Sequence, residues 1–143
     1  MAINQLSIFL ENKPGSLVEV TDALGKAGID IRAMSLADTQ DFGILRLIVG
    51  DASSAKEKLA AANFVVSVTQ VIGVALSDKP GALSDVTRLL FSNGINVEYM
   101  YAFLTSRGHT AYVVLRVNDN DRAANLLKEN GIELISESNI KTL

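Results

Sequence analysis

Two short stretches of this 143-residue chain carry the residue types from which a small-molecule site is built, Asn12-Lys13-Pro14-Gly15-Ser16-Leu17 and Asp78-Lys79-Pro80-Gly81-Ala82-Leu83. In each, proline presets φ and glycine brings the backbone to a helix start with no side chain in the way. The free amides of such a first turn receive a small anion such as a carboxylate, and the helix dipole adds about 0.3–1 kcal/mol. A lone Pro-Gly is only a tight turn. Its recurrence behind an Asn or an Asp points to a site instead. A second pair of segments, Gly28-Ile29-Asp30-Ile31 and Gly94-Ile95-Asn96-Val97, places a polar residue at the start of a strand between aliphatic neighbours. Asp30 and Asn96 there either satisfy turn amides or accept a hydrogen bond from a ligand ammonium. In the second case they and the loop amides clamp a zwitterion. Met34 and Met100 line an adaptable apolar pocket or fill the core. The candidate ligand-binding residues are therefore Asn12, Lys13, Gly15, Ser16, Leu17, Asp30, Ile31 and Met34, with Asp78, Lys79, Gly81, Ala82, Leu83, Asn96, Val97 and Met100 in the second stretch. Tyr99 and Tyr101 suit either an aromatic side chain or plain packing. His109, in Ser106-Arg107-Gly108-His109, reads as a surface turn residue.

The pairing of these segments reflects an internal repeat. At an offset of 66, residues 10–39 match 76–105 at 12 of 30 positions, among them Leu17/Leu83, Val20/Val86, Leu24/Leu90, Gly28/Gly94, Met34/Met100 and Thr39/Thr105. Beyond that the register moves to 68, with Asp51/Asp119, Ala55/Ala123 and Leu59/Leu127, so two extra residues fall in a loop between Thr105 and Thr110. The chain is two copies of one unit, 1–70 and 71–143. Within a copy, Leu6, Ile8 and Leu10 alternate as a strand, and Leu17, Val20, Leu24 and Ala27 follow at helical spacing up to a terminating Gly28. Ile29–Leu36 and Ile44–Val49 read as strands joined by a Gln40-Asp41 turn. Residues 51–62 form a helix opened by a Ser54/Glu57 capping box, and Phe64–Thr69 is a fourth strand. The second copy gives Val71–Leu76, Ala82–Asn93, Ile95–Phe103, Ala111–Val117, Asp121–Asn130 and Ile132–Glu137. The order βαββαβ predicts an α+β, ferredoxin-like sandwich with four antiparallel strands and both helices on one face. Its second strand is an unpaired edge, and joining the two edges makes one eight-stranded sheet. Gly73 is the expected bend between copies.

Composition narrows the function. With 48% apolar and 20% charged residues the chain folds around a real core. A net charge of −3 disfavours nucleic acid, whose phosphates call for clustered Lys and Arg. The absence of Cys and the single His remove disulfides, thiolate chemistry and the usual transition-metal cages, so neither a metal nor another cofactor is expected. No apolar run reaches membrane-spanning length, and no leader is expected, which points to a cytoplasmic protein.

The Lys-Pro-Gly-x-Leu loop, the helix ending in Gly-Ile-Asp-Ile or Gly-Ile-Asn-Val and the element order together resemble tandem ACT domains, the amino-acid-sensing modules of amino-acid metabolism, over nearly the whole chain. The resemblance implies βαββαβ units paired through their edge strands, with an amino acid at the junction. Gly15 and Gly81 match the loop glycine tied to ligand response. Asn12 and Asp78 match a ligand-contacting loop residue, and Asp30 and Asn96 match the polar residue opening the edge strand. Some serine-sensing members carry a His where this chain has Leu10 and Leu76, which speaks against serine by that route.

The expected function is a non-enzymatic regulatory protein that binds a free amino acid at the junction of two ACT-like units and stabilises one relative orientation, to be read by a partner enzyme of amino-acid metabolism. A ligand-free assembly module built on the edge strands is the alternative. Catalysis finds little support: acylphosphatases of the same sandwich use an Arg in the first loop, where this chain has Lys, and no Ser–His pair or carboxylate dyad stands out. A homodimer is expected to cover the helix-free sheet face, which includes Phe9, Ile44, Ile48, Val114 and Tyr112.

Overall fold

The computed structural model describes residues 2–38, 41–105 and 107–143. Thr39, Gln40 and Ser106, which the sequence reading uses in the repeat and in the two hairpins, lie outside the described residues. The elements are β1 (Ile3–Glu11), α1 (Ser16–Lys26), β2 (Ile31–Asp38), β3 (Phe42–Val49), α2 (Ala52–Ala61), β4 (Val65–Ser77), α3 (Ala82–Ser92), β5 (Val97–Ala102), β6 (Thr110–Val117), α4 (Asn120–Glu129), β7 (Glu133–Ile135) and α5 (Glu137–Ile140). They form two compact units: a first, Asn4–Thr69, and a second, Gln70–Leu143 together with Ile3. β2 and β5 begin 66 residues apart and β3 and β6 begin 68 apart, so the longer hairpin belongs to the second unit.

Alternation decides what each unit buries. In the first, Leu6, Ile8 and Leu10 of β1 and Leu45, Leu47 and Val49 of β3 share a face, paired in register as Leu6↔Leu47 and Ile8↔Leu45. Val20 and Leu24 of α1 and Ala55 and Leu59 of α2 close over it. The second unit repeats this with Ile72, Val74 and Leu76, Val113, Leu115 and Val117, then Val86, Leu90, Ala123 and Leu127. Burying one such aliphatic side chain is worth about 1.5–3 kcal/mol.

Both units are antiparallel sheets with helices on one side, in strand orders β2-β3-β1-β4 and β5-β6-β4-β7. Two details of the expected sheet are corrected. Among the described residues the strands number seven, not eight, because β4 runs unbroken from Val65 to Ser77 and takes the place of two expected strands. Among the described residues β2 has β3 as its one strand neighbour and β5 has β6, so the two edge strands are not paired with each other there.

Gly73 is not a bend but an in-register strand residue, opposite Val114 on one side and Ile135 on the other. A Cβ there would lie 3.1 Å from the Ile135 Cβ and 3.3 Å from the Ile3 Cδ1, tighter than ordinary van der Waals contact, so a side chain fits only if these neighbours give way.

The cap of α2 is Asp51, whose carboxylate accepts from the Ser54 N–H at 3.0 Å, and not Ser54 with Glu57. Asp119 does the same for α4, accepting from the Arg122 N–H at 3.1 Å. Helix α5, capped by Ser136, replaces the expected end of the last strand. The helix-free face is less bare than expected, since Ile48 and Val114 are fully buried while Phe9 is half exposed. Gln5 is buried on β1 as well, where its Nε2 donates to Ser7 Oγ at 3.0 Å.

Candidate functional site

Each Pro-Gly loop links a central strand to the first helix of its unit, β1 to α1 and β4 to α3. Gly15 (φ 92°, ψ −18°) and Gly81 (φ 91°, ψ −16°) are the N-caps of those helices, in the same left-handed conformation. That conformation favours glycine, and the choice leaves both helices with no side-chain cap.

The loop hydrogen bonds also repeat. Asn12 N–H donates to Asp41 O and Asp78 N–H to His109 O, while Lys13 and Lys79 N–H donate to Glu11 and Ser77 O. The Ser16 and Ala82 amides reach Lys13 and Lys79 O at 3.3 Å. Intrahelical bonding starts only with Glu19 N–H to Gly15 O and Asp85 N–H to Gly81 O, both 3.0 Å. Among the described residues, the amides of Gly15, Leu17 and Val18, and of Gly81, Leu83 and Ser84, are left without an acceptor, the ordinary surplus of a helix start with no cap to use it up.

A cavity stands beside each loop. That of the first unit, about 320 Å³, is lined by Phe9, Leu10, Glu11, Lys13, Ser16, Glu19, Ala62, Asn63 and Phe64. That of the second, about 550 Å³, is lined by Ala75, Leu76, Ser77, Lys79, Ala82, Asp85, His109, Thr110, Gly131, Ile132 and Glu133. Residue for residue, most of these walls are the same positions of the repeat. The charges differ. The Lys13 ammonium is 3.0 Å from Glu11, which holds its pKa above the usual lysine range, chiefly by hydrogen bonding and then by charge. Ser77 occupies the place of Glu11 in the second unit.

Of the sequence-predicted residues, Lys13, Ser16, Lys79 and Ala82 line these cavities. Asn12, Gly15, Asp78 and Gly81 are exposed beside them, and Leu17 and Leu83 are about 37–38% exposed on the first turns. Asp30, Ile31, Met34, Asn96, Val97 and Met100 are elsewhere. Asp30 follows α1 and Gly15 precedes it, so the 11-residue helix holds them about 16 Å apart. Asn96 and Gly81 are separated in the same way by α3. Exposed Asp30 pairs with Arg32 at 3.4 Å, and the Asn96 N–H donates to Asn118 Oδ1 at 3.0 Å. Ile31, Met34 and Val97 pack against the cores, and Met100 is 37% exposed. The zwitterion clamp is therefore not assembled within one unit.

Sequence reasoning missed Glu19, Asp85, His109, Thr110 and Glu133 as walls. The repeat carried a signal for Glu19 and Asp85, aligned acids one turn into the first helix of each copy.

The sequence matches the family described as ACT domain pair over residues 1–143. The chain belongs to the ACT domain pair family. ACT domains are a regulatory domain type, and this pair shares 40% identity with a Bacteroides thetaiotaomicron protein of solved structure, covering 100% of this chain and 98% of that one with a TM-score of 0.93. The ligand-free regulatory subunit of aspartate kinase from Thermus thermophilus is 16% identical, with 88% and 90% of the chains covered and a TM-score of 0.62. The Thermus flavus subunit gives 16%, the same coverage and 0.58. At such identity these two share the fold with this ACT pair. The comparison with curated proteins returns no match.

Proposed function

We propose that this ACT pair is a non-enzymatic regulatory protein that binds a free amino acid beside its Pro-Gly loops and passes the event to a partner enzyme of amino-acid metabolism. The observation that carries the reading is the duplicated helix start: the same left-handed glycine in both units, no side-chain cap, and first-turn amides with no acceptor among the described residues. A carboxylate satisfies those amides and the positive helix end together. The loop residues, Asn12 to Leu17 in the first unit and Asp78 to Leu83 in the second, are the candidates for the carboxylate side of the site. Asp30 and Asn96 serve a ligand ammonium only by facing the loop of another unit, since one helix length separates them from their own. A homodimer through the single-neighbour edges β2 and β5 would bring such groups together. A cytoplasmic location fits this role, and among the described residues no helix is long and apolar enough to cross a membrane.

Calorimetry and thermal unfolding against the twenty amino acids test the reading. A ligand at a hundred times its Kd raises stability by about 2.7 kcal/mol. Heat of binding and a raised Tm with at least one amino acid are expected; silence with every one of them overturns the proposal.

A further inference from the structure

We infer that the two units divide the work, with the cavity of the second unit receiving the zwitterionic head of the amino acid and that of the first unable to do so. The inference rests on the regulatory reading above and names the unit and the side chains that act. It starts from what differs between two walls built on one repeat. In the first cavity the sole lining cation is Lys13, already held by Glu11 at 3.0 Å. An incoming carboxylate must displace Glu11 and then sit beside it, two like charges around one ammonium. In the second cavity Ser77 stands where Glu11 does, and the Lys79 ammonium makes no ion pair among the described residues. The first unit also has Val65 where the second has Glu133, so the second cavity gains a carboxylate to add to Asp85.

One unpaired ammonium and two carboxylates around about 550 Å³ match a ligand with one negative and one positive end. The ligand carboxylate goes to Lys79 and its ammonium to Asp85 and Glu133, charge-assisted contacts that favour one orientation. Ala75, Leu76, Ala82 and Ile132 leave apolar wall for a side chain. This arrangement supplies within one unit the ammonium partner that Asn96 cannot reach.

Titration calorimetry of the full chain, with each of the twenty amino acids as probe, gives the stoichiometry. One site per chain is expected. Lys79→Ala and Ser77→Glu, the latter copying the first unit, should each weaken binding about tenfold or more. Lys56→Ala, which removes a charge on α2 that lines neither cavity, should leave it within twofold. Glu11→Ser should allow a second, weaker site. His109 is the single histidine and lines this cavity, so its one imidazole NMR signal should move on binding. Two equal sites in the wild type, full affinity in both Lys79→Ala and Ser77→Glu, or an unmoved His109 signal under saturating ligand overturns the division and leaves the regulatory reading standing. Absence of binding by every amino acid overturns both.

Discussion

Gly15 and Gly81 sit at φ near +91° with nothing within 4 Å of the position a Cβ would take. Substituting alanine therefore meets no neighbour, and the whole cost is that of the left-handed backbone, about 1 kcal/mol. Gly15→Ala and Gly81→Ala should lower the urea midpoint equally, because the two conformations agree within a few degrees. Gly73 is the opposite case, an ordinary strand conformation with side chains already crowding the space. Gly73→Ala should cost about 1–3 kcal/mol by overpacking. Ile3→Val, which removes the Cδ1 that a new Cβ would meet at 3.3 Å, should recover part of that loss in a double-mutant cycle. The loop glycines are legible from sequence because Pro-Gly and the repeat mark them. Gly73 is not, since what excludes its side chain comes from Ile3 and Ile135, 70 and 62 residues away.

Helix ends are where elements were least legible. All four long helices close alike: the amide two residues past the C-cap returns to a carbonyl five residues back, as in Ile29 N–H to Leu24 O and Phe64 N–H to Leu59 O. Three of the left-handed residues that permit this are Gly28, Gly94 and Gly131, and the fourth is Asn63 at φ 68°. Asn63→Gly should raise stability by up to about 1 kcal/mol in chemical unfolding, since only there does a side chain bear the left-handed penalty. Asp51→Ala and Asp119→Ala should each cost about 1 kcal/mol through loss of the α2 and α4 caps. The sequence reading placed both helices but took Ser54 with Glu57 as the cap of α2, because Ser54 three residues after Asp51 offers an equally plausible capping pattern, and it named no cap for α4. It extended the last strand to Glu137 for want of a signal that Ser136 would start another helix.

For the molecule as a whole, the repeat predicts the element order and the two cores but not the membership of every residue. Ile3, the first residue of β1, is fully buried with the second unit, though the rest of that strand belongs to the first. Ile3→Ala should therefore cost about 2–5 kcal/mol and raise amide hydrogen exchange in β6 more than in β3. The amides around the Pro-Gly loops were legible at the level of residue type, whereas the clamp was not, because helix length decides which groups meet and composition does not record it. The two sheet margins carry a further consequence. Among the described residues β2 has β3 as its one strand neighbour and β5 has β6, and the two margins are not alike in side chains. Docking β2 on β2 alone closes a two-fold pair, and so does β5 on β5. If both margins are used at once, or one is docked on the other without a closing rotation, each added protomer exposes the next attachment point and growth has no natural end. A finite assembly built through these margins leaves one of them idle or closes into a ring.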